Sequence, residues 1–406
     1  MGSGRTCREV WNQPKQQFSS STLRVVNVDT DRIHDVLIVG SGAAGGAAAV
    51  HLGLAGHDVL TLERDAEPRI KPCGGGMAAS VQQWFPFPLE PAVEQVIRQV
   101  NFSWCLEDPV VAELPGDAPF WIVRREKLDQ LLAEQAMGAG TERLTGVEVD
   151  DIRLHGDLWQ VTATDGRHWQ GRAVVIADGS GSPWPQRLGL GAKQPQMATT
   201  MSVRLEGQGK LSDGTTRFEF GLVKQGFAWA FPLAGGVNIG VGSFIGKQDA
   251  DPEQVLAQLL PDLGFAADAG IRQRGQLRVW NGHHRLDGDG IVVVGDAASL
   301  CDPFLAEGLR PALMSGCEAA RHLNLWLKGD SKDLRGYSRG MRERWGESMA
   351  WGRRIAQVFY RFPGVGYQLG IKRPTAPRRI AQILSGEMGY GDIAQRVIKR
   401  LRLQRN

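Results

Sequence analysis

From residue 34 to 63 the chain reads HDVLIVGSGAAGGAAAVHLGLAGHDVLTLE: a β-branched run that stops at glycine, a stretch of small residues, and a second apolar run. This predicts a strand, a tight turn, a helix and a parallel strand within about thirty residues, the size of one βαβ unit. Gly40, Gly42 and Gly45 keep G-x-G-x-x-G spacing, with Ala43 and Ala44 between them. The first glycine lets the strand turn, the second admits a pyrophosphate to the backbone, and the third lets the helix pack on the sheet. The unpaired N–H groups of the helix start attract phosphate. Glu63, followed by Arg64, closes the second strand, where a carboxylate receives ribose hydroxyls. A dinucleotide site is therefore expected.

Two further strand-to-glycine junctions follow, RAVVIADGSGS (172–182) and GIVVVGD (290–296). They predict one nucleotide domain assembled from 34–77, 119–189 and 285–330. The segments 78–118 and 190–284 alternate apolar and polar residues between turns, as antiparallel strands do, and read as an inserted substrate domain. The expected fold is α/β: a Rossmann-like nucleotide domain with an inserted antiparallel-sheet domain and a helical C-terminal segment, 331–406. Gly295 and Asp296 end a strand, so Asp296 is expected to bond ribityl hydroxyls, with the backbone from Pro303 to Gly308 and Leu309 facing a flavin pyrimidine edge. A nicotinamide-only enzyme has no need of this second element, which favours FAD, bound tightly.

At 406 residues two connected domains are the better prior. Five cysteines without a C-x-x-C pair suggest neither a disulfide framework nor a thiolate metal site. No apolar run reaches the length of a membrane span, and a cytoplasmic protein is expected. Residues 1–33 read as a polar leader without structure. From Arg335 onward sixteen Lys or Arg stand against four Asp or Glu, with apolar residues at helical spacing near the end. This basic segment suits a cap on the FAD domain or contact with an anionic membrane surface. No nucleic-acid motif accompanies it. Oligomeric state is left open.

The succession GSGAAG, RREKLDQLL, ADGSGS and GDAASLCDP resembles the p-hydroxybenzoate-hydroxylase-like flavoproteins. The resemblance implies that Arg124 lies against the FAD phosphates and that Asp178 supports the cofactor site. Within that group, KPCGGGM (71–77), FAWAFPLAGGVNIGVG (227–242) and ILSGEMGYGDI (383–393) resemble segments of the geranylgeranyl reductases. The implied activity is FAD-dependent reduction of carbon–carbon double bonds in a geranylgeranyl chain on a lipid, pigment or diphosphate, with NADPH or a reduced ferredoxin-like protein as electron donor. Cys73, Gly74 and Gly75 would then lie beside the flavin, with Cys73 either relaying a proton or only packing. Phe227, Trp229 and Phe231 share one strand face and Pro232 ends the run, so an aromatic wall over an isoprenoid channel is expected, with sheet core as the plain alternative. Two departures stand out: Ala306 where the family has glycine, and Arg310-Pro311 where small or aromatic residues are usual. The same scaffold also carries monooxygenases, halogenases and cyclases, and an isoprenoid-binding flavoprotein without turnover fits the motifs as well.

Overall fold

The computed structural model describes residues 32–66, 69–116, 119–245, 251–373, 375–393 and 395. The leader expected over 1–33, Arg32 and Ile33 apart, and the basic stretch after 395 lie outside them.

Five strands run parallel in the order Glu142–Thr145, Val59–Glu63, Ile33–Val39, His168–Ile176 and Ile291–Val293. His168–Ile176 is long enough to take two neighbours on its outer edge. Its second half pairs with Ile291–Val293, and its first half with an antiparallel flap, Leu158–Ala163 and Val149–His155. The helix Ala43–Leu54 packs on these strands and against the helices Arg125–Gly138 and Leu309–Leu327, and Val36–Val39, Val59–Glu63 and Ala173–Ile176 are buried along their whole length and read as unbroken apolar runs. The helix Ala43–Leu54 is buried from Ala43 to Gly53. Its small residues are a packing requirement. A Cβ on Gly46 would stand 2.9 Å from Leu132 Cβ, and one on Gly316 in the helix Leu309–Leu327 would stand 2.2 Å from Ala44 O.

A second sheet has seven strands: Gln273–Val279, Gln196–Glu206, Gly236–Ser243, Gly226–Leu233, Thr215–Phe220, Gln99–Trp104 and Glu107–Glu113. All neighbours are antiparallel except Thr215–Phe220 with Gln99–Trp104. A small sheet of Gly76–Ala78, Phe120–Val123 and Val93–Ile97 accompanies it. The first strand of the second sheet ends at Val279, and His283 and His284 stand in the loop beyond it.

After the helix Leu309–Leu327 the chain winds through Arg335–Met341, Glu347–Arg361 and Ala376–Leu384. Buried polar tips pin these helices to the nucleotide domain. Tyr337 donates to Val293 O (2.8 Å), Trp345 Nε1 to Leu300 O (2.8 Å), Tyr360 to Phe304 O (2.9 Å) and Tyr390 to Asp302 Oδ2 (2.8 Å). Up to residue 393, then, the C-terminal segment packs as a cap on the 294–308 loop.

Candidate FAD and substrate site

Between the two large sheets lies a cavity whose empty space, with the open solvent at its mouth included, is about 1190 Å³. Its nucleotide end begins at the glycine turn. Gly40 has φ +96°, and a Cβ there would stand 2.6 Å from Ala177 O, so the strand Ile33–Val39 must turn against the backbone that leaves the strand His168–Ile176. A Cβ on Gly45 would stand 1.9 Å from Gly40 O. Gly42 caps the helix Ala43–Leu54 with no side-chain bond, and Gly46 N donates to Gly42 O at 2.7 Å. The earlier N–H groups of that turn have no intrahelical partner and remain for an anion.

Over this turn stand two guanidinium groups. A Cβ on Gly42 would lie 3.3 Å from Arg69 Nη1 and 3.7 Å from Arg125 Nη2. Asp129 holds both arginines, accepting from Arg69 Nη1 at 2.8 Å and from Arg125 Nη2 at 2.9 and 3.0 Å. Arg69 Nε also lies 3.3 Å from Asp65 Oδ2 and 3.8 Å from Glu63 Oε1, so carboxylates fix both guanidinium groups above a helix N-terminus, where their N–H groups can meet a pyrophosphate.

Glu63 is buried at the end of its strand, where Oε2 accepts from Ser41 N (2.7 Å) and Ser41 Oγ (3.0 Å) and Oε1 from Asp65 N (3.0 Å). It braces the glycine turn directly. Arg64 is exposed and bonds Asp65.

Further along, Asp178 Oδ1 is buried without a hydrogen-bond partner, and burial raises this carboxyl to about 6. Asp296 lines the cavity. Burial pulls its pKa up, and Lys71, Arg125 and Arg278 oppose that rise. Gly295 has φ +60°, and a Cβ there would stand 2.9 Å from Ala44 Cβ. Gly308 caps the helix Leu309–Leu327 without a side-chain bond, and a Cβ on it would stand 3.7 Å from Asp296 Oδ1. The orphaned acceptor on Asp178, the glycine cradle and the paired arginines all fit FAD. When bound and reduced, FAD supplies a hydride.

The opposite end is aromatic. Phe227, Trp229 and Phe231 line the cavity, while Ala228 and Ala230 face a separate core against the helix Pro252–Asp262. The wall is continuous: Phe218 lies 5.3 Å from both Phe227 and Phe231 between ring centroids, and Phe227 lies 4.8 Å from Phe244. The Cys73–Gly76 loop closes against it. A Cβ on Gly74 would stand 3.0 Å from Phe231 Cε2, and one on Gly75, at φ +83°, would stand 2.2 Å from Val123 O. Asn238 ties loop to wall, donating to Cys73 O at 2.8 Å and accepting from Trp229 Nε1 at 3.3 Å. Leu384 brings the C-terminal segment to the cavity wall.

Of the residues read from the sequence, the cavity is lined by Gly42, Ala43, Ala44, Cys73, Gly74, Gly75, Asp296, Gly308, Leu309, Phe227, Trp229 and Phe231. Pro232 is buried in the hairpin and Pro303 behind the loop. Arg124 is placed elsewhere. It is the N-cap of the helix Arg125–Gly138 in extended backbone, and its guanidinium bonds Glu94 at 3.0 Å beside a different surface hollow. The arginine that reaches the phosphate end is its neighbour, because one residue into a helix turns the side chain to another face. Sequence reading did not single out Arg69, and it gave no role to Lys71, which opens the KPCGGGM segment, or to Leu384, within ILSGEMGYGDI; all three line the cavity.

No protein-family model matches the chain. It is 29% identical over 356 residues to menaquinone reductase of Mycobacterium tuberculosis, covering 81% of this chain and 85% of that protein. It is 28% identical over 347 residues to digeranylgeranylglycerophospholipid reductase 2 of Methanopyrus kandleri, covering 80% and 86%. The crystal structure of a geranylgeranyl bacteriochlorophyll reductase-like protein from Thermoplasma acidophilum superposes with a TM-score of 0.71 at 19% identity, covering 81% and 88%. The flavin-dependent brominase Bmp2 superposes with 0.70 at 21%, covering 92% and 100%. Fold and site together define an FAD-dependent oxidoreductase of the p-hydroxybenzoate-hydroxylase-like architecture. Within that class, the chain is similar to menaquinone and digeranylgeranylglycerophospholipid reductases along about four fifths of its length.

Proposed function

We propose that this protein reduces carbon–carbon double bonds of a geranylgeranyl-type isoprenoid chain carried on a lipid, pigment or diphosphate. The observation that carries the reading is the junction of the Cys73–Gly76 loop with the Phe227–Phe231 wall, which joins a flavin cradle to an apolar, aromatic chamber. An isolated trisubstituted alkene has no carbonyl to accept charge, so its reduction needs a hydride at one carbon and a proton at the other. The chamber must exclude water and tolerate positive charge without offering a nucleophile, and aromatic faces meet both demands. Cys73, Gly74 and Gly75 bring backbone close to the reacting chain. Arg69, Arg125 and the glycine turn hold the FAD pyrophosphate, Glu63 braces that turn, and Asp178 and Asp296 address the ribityl and flavin end. Electrons come from NADPH or a reduced ferredoxin-like protein.

Contact with a membrane surface is part of this reading. Val358, Phe362, Val365 and Leu369 are 71, 60, 59 and 55% exposed, three or four residues apart in sequence across the break in the helix at Phe362, with Arg354, Arg361, Lys372 and Arg373 exposed among them. Such a stripe suits the headgroup boundary of anionic lipid, where an isoprenoid substrate resides.

One observation favours a second reading. Lys71 lines the cavity with its amine near Gly179, its pKa lowered by burial and by Arg125. A halogenase requires an amine in the cavity, and Bmp2 shares the fold. The two readings part on oxygen. Incubation with a geranylgeranyl compound and a chemical reductant, oxygen excluded, should yield product heavier by pairs of hydrogens. Turnover only with oxygen and halide would replace the reductase reading.

A further inference from the structure

The cavity wall carries two carboxyl groups among the described residues, and only Asp296 has a place in the cofactor site. The other is Glu307, 6% exposed, at the turn into the helix Leu309–Leu327. Asp296 stands among three cations, Lys71, Arg125 and Arg278. Glu307 faces one, Arg310, whose Nη2 is 2.6 Å from Oε2. Its remaining neighbours are the buried Asp302 and the backbone of Ala78. Asp302 is fully engaged: it accepts from Phe304 N (2.6 Å), Leu305 N (3.0 Å) and Tyr390 Oη (2.8 Å). The nearby thiol of Cys301 is buried with its pKa pushed well up, which leaves it inert as an acid. Two carboxyl groups in one cavity, one among three cations and the other beside a single cation, suit different roles, and the one with fewer cations is the better proton carrier.

Resting on the reductase reading above, we propose that Glu307 is the catalytic proton donor to the alkene and that Arg310 is the positioning residue that receives the resulting carboxylate. The Glu307 O–H bond breaks and its proton forms a C–H bond with the alkene π pair. The other alkene carbon takes the hydride supplied by reduced flavin, so the substrate gains two hydrogens and the flavin is left oxidised. The carboxylate is reprotonated from solvent before the next turnover.

The geometry also accounts for Arg310, foreign to the family pattern. Its guanidinium lies 5.2 Å from the Trp345 ring centroid, and a Cβ on Gly386 would stand 2.8 Å from Nη1. It is fixed in place rather than free in solvent. Burial holds Glu307 protonated up to about 7 against the pull of Arg310, while Asp302 adds to the rise. The donor is therefore charged with its proton below neutrality, and its rate should fall as pH rises through that value.

The test is anaerobic reoxidation of the photoreduced holoenzyme by a geranylgeranyl compound, from pH 5.5 to 8.5. Wild type should show a falling limb near 7. Glu307→Gln should retain flavin, bind the same compound, and lose about 10²–10³-fold in rate together with the limb. Arg310→Gln should keep the limb but move it upward by about one unit, and it carries the test if the Glu307→Gln variant does not hold flavin. If wild type is reoxidised and Glu307→Gln matches it in rate and pH profile, the assignment of Glu307 is overturned while the reductase reading stands. If no geranylgeranyl compound reoxidises wild type, the reading itself falls, and the assignment with it.

Discussion

Asn238 donates its Nδ2 to the carbonyl oxygen of Cys73, 2.8 Å away, and so fixes the glycine loop of the flavin side to the aromatic wall of the substrate side. The same side chain accepts from Trp229 Nε1 at 3.3 Å. Two stretches more than 150 residues apart in sequence become one surface.

Trp229 is 6% exposed and packs on Gly240, where a Cβ would stand 2.2 Å from its Cζ2. Trp229→Ala should cost about 3–5 kcal/mol of stability. It should leave flavin bound and reduce prenyl turnover at least tenfold. Visible absorbance and product mass read the two effects separately, and unchanged turnover would reduce the wall to packing.

Gly42→Val places an isopropyl group under Arg69 and Arg125, where a Cβ alone would stand 3.3 Å from Arg69 Nη1. The pyrophosphate and the side chain then compete for one space. The variant should purify without flavin, read as loss of absorbance near 450 nm. Full occupancy would place the phosphates elsewhere.

Ala306 has φ +55°, a left-handed conformation that disfavours any Cβ. The departure from glycine noted in the sequence is thus a strained residue on the cavity wall. Ala306→Gly relieves roughly 1–2 kcal/mol of backbone strain and gives back about 0.5–1 kcal/mol in unfolded-state entropy. Thermal unfolding of the holoenzyme should be unchanged or slightly higher. A clear fall would show that the alanine methyl is needed for packing.

Burial of His51 beside Phe85 depresses its pKa from 6.5 to about 4. The unfolded chain then takes up the proton first as pH falls, so this contribution is complete above 6.5 and is lost towards 4. It amounts to about 3 kcal/mol at most. Melting temperature should decline over that window, and His51→Leu should flatten the decline. An equal slope in both proteins would assign acid sensitivity to other groups.

Replacing Phe362 and Val365 together by serine should abolish co-sedimentation with anionic phospholipid vesicles and leave flavin content unaltered. Wild type should bind anionic vesicles more strongly than zwitterionic ones, and less strongly at high salt. Equal binding by the double variant would move the contact away from this stripe.

The sequence revealed the parts whose residue types are dictated by local backbone geometry. The Gly40–Gly45 turn, the strand ends at Asp178 and Asp296, and the alternation of Phe227, Trp229 and Phe231 with alanine all leave a period or a glycine where no other residue fits. What stayed hidden depends on helix phase and long-range closure. Arg124 and Arg125 are adjacent in sequence, and only the exact helix start decides which one reaches the phosphate end. Arg69 and Lys71 sit in a segment without periodicity. Leu384 reaches the cavity only because tyrosines at 360 and 390 pin the C-terminal segment to Phe304 and Asp302.

The most direct measurement photoreduces the flavin of the purified holoenzyme without oxygen, adds a geranylgeranyl lipid or diphosphate, and follows the visible spectrum while the product is weighed. The account predicts reoxidation of one flavin for each double bond lost, with a gain of two hydrogens. A flavin that stays reduced with every such compound, and reoxidises only when oxygen is admitted, would contradict it.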